Sequence, residues 1–315
     1  MPTTQFAFLF PGQGSQSIGM GEETAKSYPI VQKTFDEANE ILGYSLSKIA
    51  WEGPSSELND TVNTQPALLV HSVAILRLLN EKFPEIKPDY LAGHSMGEIS
   101  ALVAAKSLPF ETALQLAHTR GLLMKQAGQE SPGGMAAILG MDITSIEHIC
   151  NEVSTDSGIV QIANDNCPGQ VVISGSNAAL ENAMKLAKQN GAKKVIRLAV
   201  SIAAHSKLMV QAENGFREAI KLANIKDPIT PIIGNVNAKP MMDMQSIIQD
   251  LKAQLTSRVM WTETIKFIGA QGITNFIEIG SGSVLSGLLK RINRQYVGHQ
   301  TNTPSKIEKL ASLGS

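Results

Sequence analysis

Residues 90–98 read Tyr-Leu-Ala-Gly-His-Ser-Met-Gly-Glu, and this stretch is the most informative part of the chain. Gly93 to Gly97 form the pattern G-x-S-x-G, in which Ser95 lies between two glycines. Such a serine can occupy a tight turn between a strand and a helix with its hydroxyl pointing outward, because glycine has no Cβ to clash where the chain reverses. The apolar residues before Gly93 can end a strand, and segment 98–106 can begin a helix. The stretch therefore predicts a strand-turn-helix unit that carries Ser95 as a candidate nucleophile.

Segments typical of strands and helices alternate on both sides of this turn. The predicted elements are strands at 5–10, 231–235 and 275–279 and helices at 22–42, 65–82, 109–126, 244–255, 261–271 and 284–294. Alternation of this kind favours an α/β layered domain with a mainly parallel sheet.

The order of elements changes between residues 128 and 200. Here the pattern predicts strands at 134–141, 158–164, 170–174 and 194–200 and helices at 143–153 and 177–190. The resulting order, β-α-β-β-α-β, is that of a ferredoxin-like unit. We therefore predict an α/β catalytic subdomain made of residues 1–127 and 201–315, with a ferredoxin-like subdomain inserted at 128–200.

Composition excludes several classes of function. The 315-residue chain carries 27 basic and 28 acidic residues, so its net charge of −1 gives no basic field for nucleic acid. We expect no membrane-spanning run and no secretion signal, since the start lacks a basic segment and a cleavage site. The two cysteines, Cys150 and Cys167, are too few for a disulfide framework. These features favour a reduced, cytoplasmic compartment and predict no metal site.

A serine hydroxyl needs a base, usually histidine, to be nucleophilic at neutral pH. The chain offers six candidates, which are His71, His94, His118, His148, His205 and His299. His94 is next to Ser95 on the same turn, so its side chain should point away from the Ser95 hydroxyl. His205 follows small residues where the chain returns from the insert, which lets it approach another loop. The residues alone favour His205 as the base but leave a structural role equally open.

An ordered set of motifs covers nearly the whole chain from residue 5 to about 294. These motifs are Phe10-Pro-Gly-Gln-Gly-Ser-Gln16, Gln65-Pro-Ala67, Gly93-His-Ser-Met-Gly-Glu98, Arg120-Gly121 with Met124, the segment 164–175, His205 and Glu278-Ile-Gly280. Together they resemble the malonyl-CoA:acyl carrier protein transacylases. The resemblance implies an α/β-hydrolase-like core with a ferredoxin-like insert, which agrees with the predicted elements.

The resemblance also implies catalytic roles. Ser95 would be acylated, and His205 would be its base and later the acid for the leaving thiolate. The backbone N–H groups of Gln13 and Met96 would form the oxyanion hole. A backbone carbonyl, rather than an acidic side chain, would orient the histidine, and the matching segment Val259-Met260-Trp261 assigns this carbonyl to Met260.

Substrate-binding roles follow from the same resemblance. Arg120 would grip the free carboxylate of a malonyl unit through two parallel hydrogen bonds, although an arginine in a helix is more commonly a surface residue. Met124 and Asn166 would also contact substrate. Ala204 stands before His205, where many malonyl-specific members have an aromatic residue, so the site is expected to tolerate methylmalonyl-CoA.

The implied activity is ping-pong transfer of malonyl from malonyl-CoA to the phosphopantetheine thiol of holo acyl carrier protein. Malonyl-CoA is then a substrate, and no permanently bound cofactor is expected. An acyl hydrolase acting on carrier-protein thioesters, or a trans-acting acyltransferase of a polyketide synthase, is the alternative. A non-catalytic scaffold and a general lipase are weaker alternatives. We expect a monomer that binds neither nucleic acid nor membrane.

Overall fold

The computed structural model describes residues 5–313, and the strands and helices in that range alternate as predicted for an α/β protein. The strands are β1 (Phe6–Phe10), β2 (Pro88–Gly93), β3 (Gly133–Leu139), β4 (Val160–Cys167), β5 (Gln170–Ser176), β6 (Lys194–Arg197), β7 (Ile232–Ile233), β8 (Pro240–Met241), β9 (Asn275–Glu278) and β10 (Val297–Gln300). The helices are α1 (Glu22–Ser27), α2 (Pro29–Leu42), α3 (Leu46–Glu52), α4 (Ser55–Leu58), α5 (Thr61–Lys82), α6 (Gly97–Ala104), α7 (Phe110–Glu130), α8 (Ile143–Val153), α9 (Asn177–Gln189), α10 (Val210–Leu222), α11 (Met244–Gln254), α12 (Trp261–Ala270), α13 (Val284–Ile292) and α14 (Pro304–Glu308).

The larger sheet has six strands in the order β10-β9-β1-β2-β7-β8. Neighbouring strands run parallel except at the edge, where β8 is antiparallel to β7. All five residues of β1, in the middle of this sheet, are buried, as expected for a strand covered on both faces. The mainly parallel sheet of the prediction is therefore confirmed.

This sheet brings the loops of the candidate site to one edge. The carboxyl ends of parallel strands share an edge, and ligands in open α/β sheets bind there. The loop after β1 carries Gln13, the turn after β2 carries Ser95, and the loop after β7 carries Asn235. Three segments that are far apart in sequence, including the Ser95 turn itself, thus lie at the same edge of the sheet.

The second sheet has four antiparallel strands in the order β4-β5-β3-β6. With α8 and α9 the chain order is β-α-β-β-α-β, which confirms the predicted ferredoxin-like insert. Backbone hydrogen bonds join it to the core, because Asp165 N–H donates to the Val259 carbonyl at 2.9 Å and Val259 N–H donates to the Ala163 carbonyl at 2.8 Å. The insert is therefore attached near the segment that leads into α12.

Two details of the helices differ from the sequence expectations. The helical region predicted at 22–42 is divided, because Tyr28 adopts an extended conformation and Pro29 begins a new helix. In addition, α5 meets the length and composition of a membrane-crossing helix, so the expectation of no such run is wrong for this segment. Most of its apolar window, 83%, is buried inside the fold, which is also the pattern of a core helix.

Candidate active site

Ser95 occupies the tight turn between β2 and α6. Its φ of 53° lies in the left-handed region, which strains an ordinary residue. A Cβ added at Gly93 would overlap the backbone of Gly97, and one added at Gly97 would overlap the carbonyl of Phe10. Both glycines of the G-x-S-x-G pattern are thus required by close backbone packing, and the turn leaves Ser95 half-buried.

Asn235 holds this turn from the neighbouring loop. Its Oδ1 accepts a hydrogen bond from Ser95 N–H at 2.8 Å, and its Nδ2 donates to the Gly93 carbonyl at 2.8 Å. Asn235 is only 2% exposed, so both bonds are protected from water. The side chain therefore fixes the backbone on both sides of His94.

The structure brings Ser95 and His205 together. Oγ of Ser95 lies 2.8 Å from Nε2 of His205. The other ring nitrogen, Nδ1, lies 2.8 Å from the Gln254 carbonyl and 3.2 Å from the Ser257 carbonyl. Carbonyls only accept, so Nδ1 carries the proton and Nε2 is left as the acceptor for the serine hydroxyl.

The buried environment keeps His205 neutral. The side chain is 3% exposed, and burial lowers the pKa of His205 to about 3, with the positive charge of Arg120 acting in the same direction. A neutral imidazole at neutral pH is the form that accepts a proton from serine.

The assignment of the orienting carbonyl to Met260 is wrong. The Met260 carbonyl accepts the Thr264 N–H at 2.9 Å, because Met260 is the residue that caps the start of α12. The carbonyls of Gln254, the last residue of α11, and of Ser257, three residues later, hold His205 instead. Backbone carbonyls do orient His205, as expected, but they belong to Gln254 and Ser257 and not to Met260.

Arg120 is buried beside the nucleophile. The residue is 1% exposed, and its Nη2 lies 3.2 Å from Oγ of Ser95. Within residues 5–313 it forms no salt bridge. Burial lowers the pKa of Arg120 to about 10, which still leaves the guanidinium charged at neutral pH. A buried cation without a paired anion is costly and is usual at functional sites.

Two glutamine side chains fix the plane of the guanidinium. Nη1 donates to Oε1 of Gln65 at 2.8 Å, and Nη2 donates to Oε1 of Gln254 at 2.7 Å. The remaining contacts are longer, with Sδ of Met124 at 3.3 Å from Nη1 and Oγ of Ser95 at 3.2 Å from Nη2. Each terminal nitrogen thus has one firm neutral partner and one weaker contact that a ligand could replace.

The two predicted oxyanion donors, Gln13 and Met96, lie on loops that touch. A Cβ on Gly12 would overlap the His94 carbonyl, so the loop after β1 packs directly against the Ser95 turn. Across residues 5–313, neither the Gln13 N–H nor the Met96 N–H has an acceptor. The Thr61 hydroxyl donates to Oε1 of Gln13 at 3.1 Å, which anchors the side chain of this loop.

Asn166 and Ala204 lie on the insert side of the site. Oδ1 of Asn166 is 2.8 Å from Nε2 of His94, so the His94 ring points to the insert and away from the Ser95 hydroxyl, as expected. Ala204 is half-buried and packs against a small apolar cluster of the insert that contains Met135, Ala163 and Val172.

A cleft of about 310 Å³ opens beside the Gln13 loop. Its walls come from both parts of the molecule, with Thr61 and Lys125 on one side and the segment 199–202, just before His205, on the other. In the described part of the chain, no three His, Cys, Asp or Glu side chains are grouped to hold a metal ion, and Cys150 and Cys167 are free and buried.

Comparison with known proteins decides the family. The acyl transferase domain matches residues 7–313. The chain is 47% identical over 307 residues to the malonyl CoA-acyl carrier protein transacylase of Bacillus subtilis, covering 97% of this chain and 96% of the relative. It is 43% identical over 312 residues to the transacylase of Escherichia coli K12, covering 98% of this chain and 100% of that protein.

The chain belongs to the malonyl-CoA:acyl carrier protein transacylase family. Solved structures of this acyltransferase family share the fold. The transacylase of Coxiella burnetii superposes with a TM-score of 0.94 at 40% identity, covering 99% of this chain and 98% of its own. A malonyl-transacylase solved in complex with a type II polyketide synthase acyl-carrier protein gives a TM-score of 0.94 at 42% identity, covering 97% of this chain and 98% of that one.

Two residues of this transacylase site, Asn235 and Gln254, are absent from the sequence prediction. Asn235 follows a buried strand at the sheet edge that carries Ser95, and a polar residue in that position was a usable signal. Gln254 ends α11 and touches the site through both its side chain and its carbonyl. A single amide at a helix end carries no comparable sequence signal.

Proposed function

We propose that this chain transfers a malonyl group from malonyl-CoA to the phosphopantetheine thiol of acyl carrier protein through a malonyl ester on Ser95. One observation carries the proposal, which is the buried Arg120 guanidinium without a carboxylate partner, in contact with the candidate nucleophile. The names of the similar proteins support the same activity. An acyl group that ends in a carboxylate would supply the anion that the site lacks.

The geometry around Arg120 suits a bidentate carboxylate. A malonyl carboxylate that replaces the weaker contacts to Met124 and Ser95 would bond both terminal nitrogens at once. Gln65 and Gln254 would keep their bonds and hold the fork in place. An acetyl group would leave the same contacts unsatisfied, so the site favours acyl groups with a free carboxylate.

In the first half-reaction, His205 accepts the proton of the Ser95 hydroxyl while the oxygen attacks the thioester carbonyl. The proposed oxyanion hole, the N–H groups of Gln13 and Met96, stabilises the negative oxygen of the tetrahedral intermediate. The intermediate collapses, the carbon–sulfur bond breaks, and the proton on His205 passes to the coenzyme A thiolate. The enzyme is left as a malonyl ester with a neutral histidine.

The second half-reaction reverses these roles. The phosphopantetheine thiol gives its proton to His205, and its sulfur attacks the ester carbonyl. The carbon–oxygen bond to Ser95 breaks, and His205 returns the proton to the serine oxygen. Malonyl leaves on the carrier with its carboxylate intact, and no resident cofactor takes part in either step.

Domain division, oligomeric state and pathway complete the proposal. We propose the domain division at 128–200, with Asn166 and Ala204 on the insert side of the substrate cleft. We also propose a monomer in the cytoplasm that serves fatty-acid synthesis. The alternative is supply of malonyl groups to a polyketide synthase, because one similar structure contains a polyketide synthase acyl-carrier protein. Comparing kcat/KM for the two kinds of carrier protein would distinguish these pathways.

The ratio of malonyl-carrier to free malonate among the products tests the proposed function. The enzyme is incubated with labelled malonyl-CoA and holo carrier protein, and malonyl-carrier and free malonate are separated over time. We expect malonyl-carrier as the main product, with none from apo carrier or from Ser95→Ala. Free malonate as the main product would favour the hydrolase, and no product of either kind would refute both.

A further inference from the structure

Two buried carboxyl groups bind the residues that hold the Ser95 turn. Glu98 is the second residue of α6 and is 0% exposed, and Asp250 on α11 is 4% exposed. Nε2 of Gln254 donates to Oε2 of Glu98, and Asp250 lies one turn before Gln254 on the same face of α11, so the two carboxyl groups are neighbours. Neither forms a salt bridge within the described residues. Two carboxylates this close cannot both stay ionised in a buried site, so one of them holds a proton.

Their hydrogen bonds indicate which group is protonated. Asp250 accepts backbone N–H bonds from Asn235 at 3.2 Å and from Val236 at 3.1 Å, which favour its ionised form. Oε2 of Glu98 accepts from Nε2 of Gln254, whereas Oε1 receives no N–H or hydroxyl donor from the described chain. A proton on Oε1 that is donated to Asp250 satisfies the unpaired atom.

Electrostatics agrees with this placement. Burial and the charge of Asp250 raise the pKa of Glu98 well above its usual range, and Arg120 on α7 opposes this only in part. Burial also raises the pKa of Asp250, but its hydrogen bonds from Glu98 and from the two backbone N–H groups oppose that rise. The acid is therefore Glu98 and the carboxylate is Asp250.

The protonated Glu98 fixes the orientation of the Gln254 amide. Since Oε2 of Glu98 is an acceptor, it selects the NH2 side of the amide, which also donates to the Ser95 carbonyl at 3.2 Å. The amide oxygen must then face Arg120, and it accepts a hydrogen bond from Nη2 of Arg120 at 2.7 Å. A reversed amide would point N–H groups at a buried cation.

Asp250 fixes the other support of the turn. It holds the backbone N–H of Asn235, and the side chain of Asn235 accepts the Ser95 N–H. The pair is thus linked to the Ser95 turn through Asn235 and to the Arg120 guanidinium through Gln254.

We propose that Glu98 and Asp250 share one proton and act as a positioning pair, which orients Arg120 through Gln254 and the Ser95 turn through Asn235. The catalytic part of this inference rests on the proposed malonyl transfer. The protonation part does not, and it has its own readout.

Infrared spectroscopy tests the proton. At neutral pH we expect a carbonyl band of a protonated carboxylic acid in the wild type, and loss of that band in Glu98→Gln. Glu278→Gln is the matched control, because Glu278 is also fully buried but accepts N–H bonds from Leu285 and Ser286 and lies outside this network. A band that survives in Glu98→Gln, or disappears in Glu278→Gln, would overturn the assignment.

Kinetics tests the positioning role. Glu98→Gln reproduces the protonated acid, since its NH2 can donate to Asp250 and its carbonyl can accept from Gln254, so kcat/KM for malonyl-CoA should fall by no more than about threefold. Glu98→Ala releases Gln254, and Asp250→Asn removes the anion, so each should lower kcat by about tenfold or more in folded protein.

If Asp250→Asn does not fold, the comparison of Glu98→Gln with Glu98→Ala alone tests the positioning role. Equal losses in both Glu98 variants, or no loss in Glu98→Ala, would refute the positioning role. A wild type inactive on malonyl-CoA would refute the proposed function and leave the infrared result standing.

Discussion

Nη2 of Arg120 lies 3.2 Å from Oγ of Ser95, so a buried cation touches the candidate nucleophile directly. The other partners of its terminal nitrogens, Gln65, Gln254 and Met124, are neutral, and its Nε has no hydrogen-bond partner in the described chain. An ester formed on Ser95 would therefore place the far end of a short acyl chain next to an unpaired positive charge. The buried cation beside the nucleophile distinguishes this site from that of a general esterase, in which the serine and histidine need no cation.

Arg120→Ala should reduce malonyl transfer much more than acetyl transfer. Losing the bidentate bond should lower kcat/KM for malonyl-CoA by about 10³-fold, whereas the value for acetyl-CoA should change by less than about tenfold. Steady-state rates with both thioesters and the same carrier measure this. Arg120→Lys keeps the charge without the fork and should give an intermediate loss for malonyl. Equal losses for the two substrates would rule out a carboxylate clamp.

Gly12→Ala should damage catalysis through the oxyanion hole. The added Cβ would overlap the His94 carbonyl and displace the loop that carries the Gln13 N–H. The loss of one aligned donor should lower kcat by about 10²- to 10³-fold. Gly287→Ala is the control, because a Cβ there meets nothing within 4 Å. A Gly12→Ala enzyme with normal kcat would show that this loop does not contribute to the reaction.

His71 should make the fold sensitive to acid. It is 0% exposed, neither ring nitrogen has a hydrogen-bond partner in the described chain, and burial lowers the pKa of His71 from 6.5 to about 4. Between these values the unfolded chain binds the proton and the folded chain does not, so stability present above the unfolded pKa is lost as the pH falls. Between about pH 7 and about pH 4.5 this costs about 2 kcal/mol of the free energy of unfolding.

His71→Leu should reduce that loss. Denaturant unfolding of both proteins at several pH values measures the difference, provided that the variant folds at neutral pH. Both proteins keep a further acid sensitivity from His205, whose pKa is lowered to about 3, so the substitution should reduce the loss without abolishing it. An identical loss of stability in the two proteins would mean that His71 is not buried in its neutral form.

Ala204 should set the tolerance for a branched acyl group. A small residue before His205 is expected to leave room for an α-methyl branch, so the wild type should use methylmalonyl-CoA measurably. Ala204→Phe should lower kcat/KM for methylmalonyl-CoA by about tenfold more than for malonyl-CoA. Steady-state rates with the two thioesters decide, and a wild-type rate with methylmalonyl-CoA at background would remove the claim.

The parts of the site that could be predicted from sequence are those with local or motif signals. The Ser95 turn was predictable because backbone packing leaves only glycine at residues 93 and 97. The second sheet was predictable because its alternating elements follow in chain order. The position of His205 after small residues left its role open, the resemblance assigned it as the base, and the structure places its Nε2 2.8 Å from Oγ of Ser95.

The rest depends on how distant elements pack. Gln254 is adjacent to Arg120, Ser95 and Glu98 only because the fold brings the end of α11 against the turn. Met260 was assigned by counting from Trp261, but the beginning of α12 uses its carbonyl in the first helical hydrogen bond. The proton shared by Glu98 and Asp250 has no sequence signal, since the two residues are 152 positions apart (250 − 98). Such contacts are products of the tertiary fold.

Intact-protein mass spectrometry tests whether the malonyl group passes through Ser95. The enzyme is mixed with malonyl-CoA without carrier, weighed, and digested to locate any adduct, and holo carrier is then added. We predict one malonyl group on the peptide that contains Ser95, none in Ser95→Ala, and its movement to the carrier after addition. An enzyme that carries no adduct, or that releases malonate equally fast with and without carrier, would contradict transfer through a malonyl-Ser95 ester.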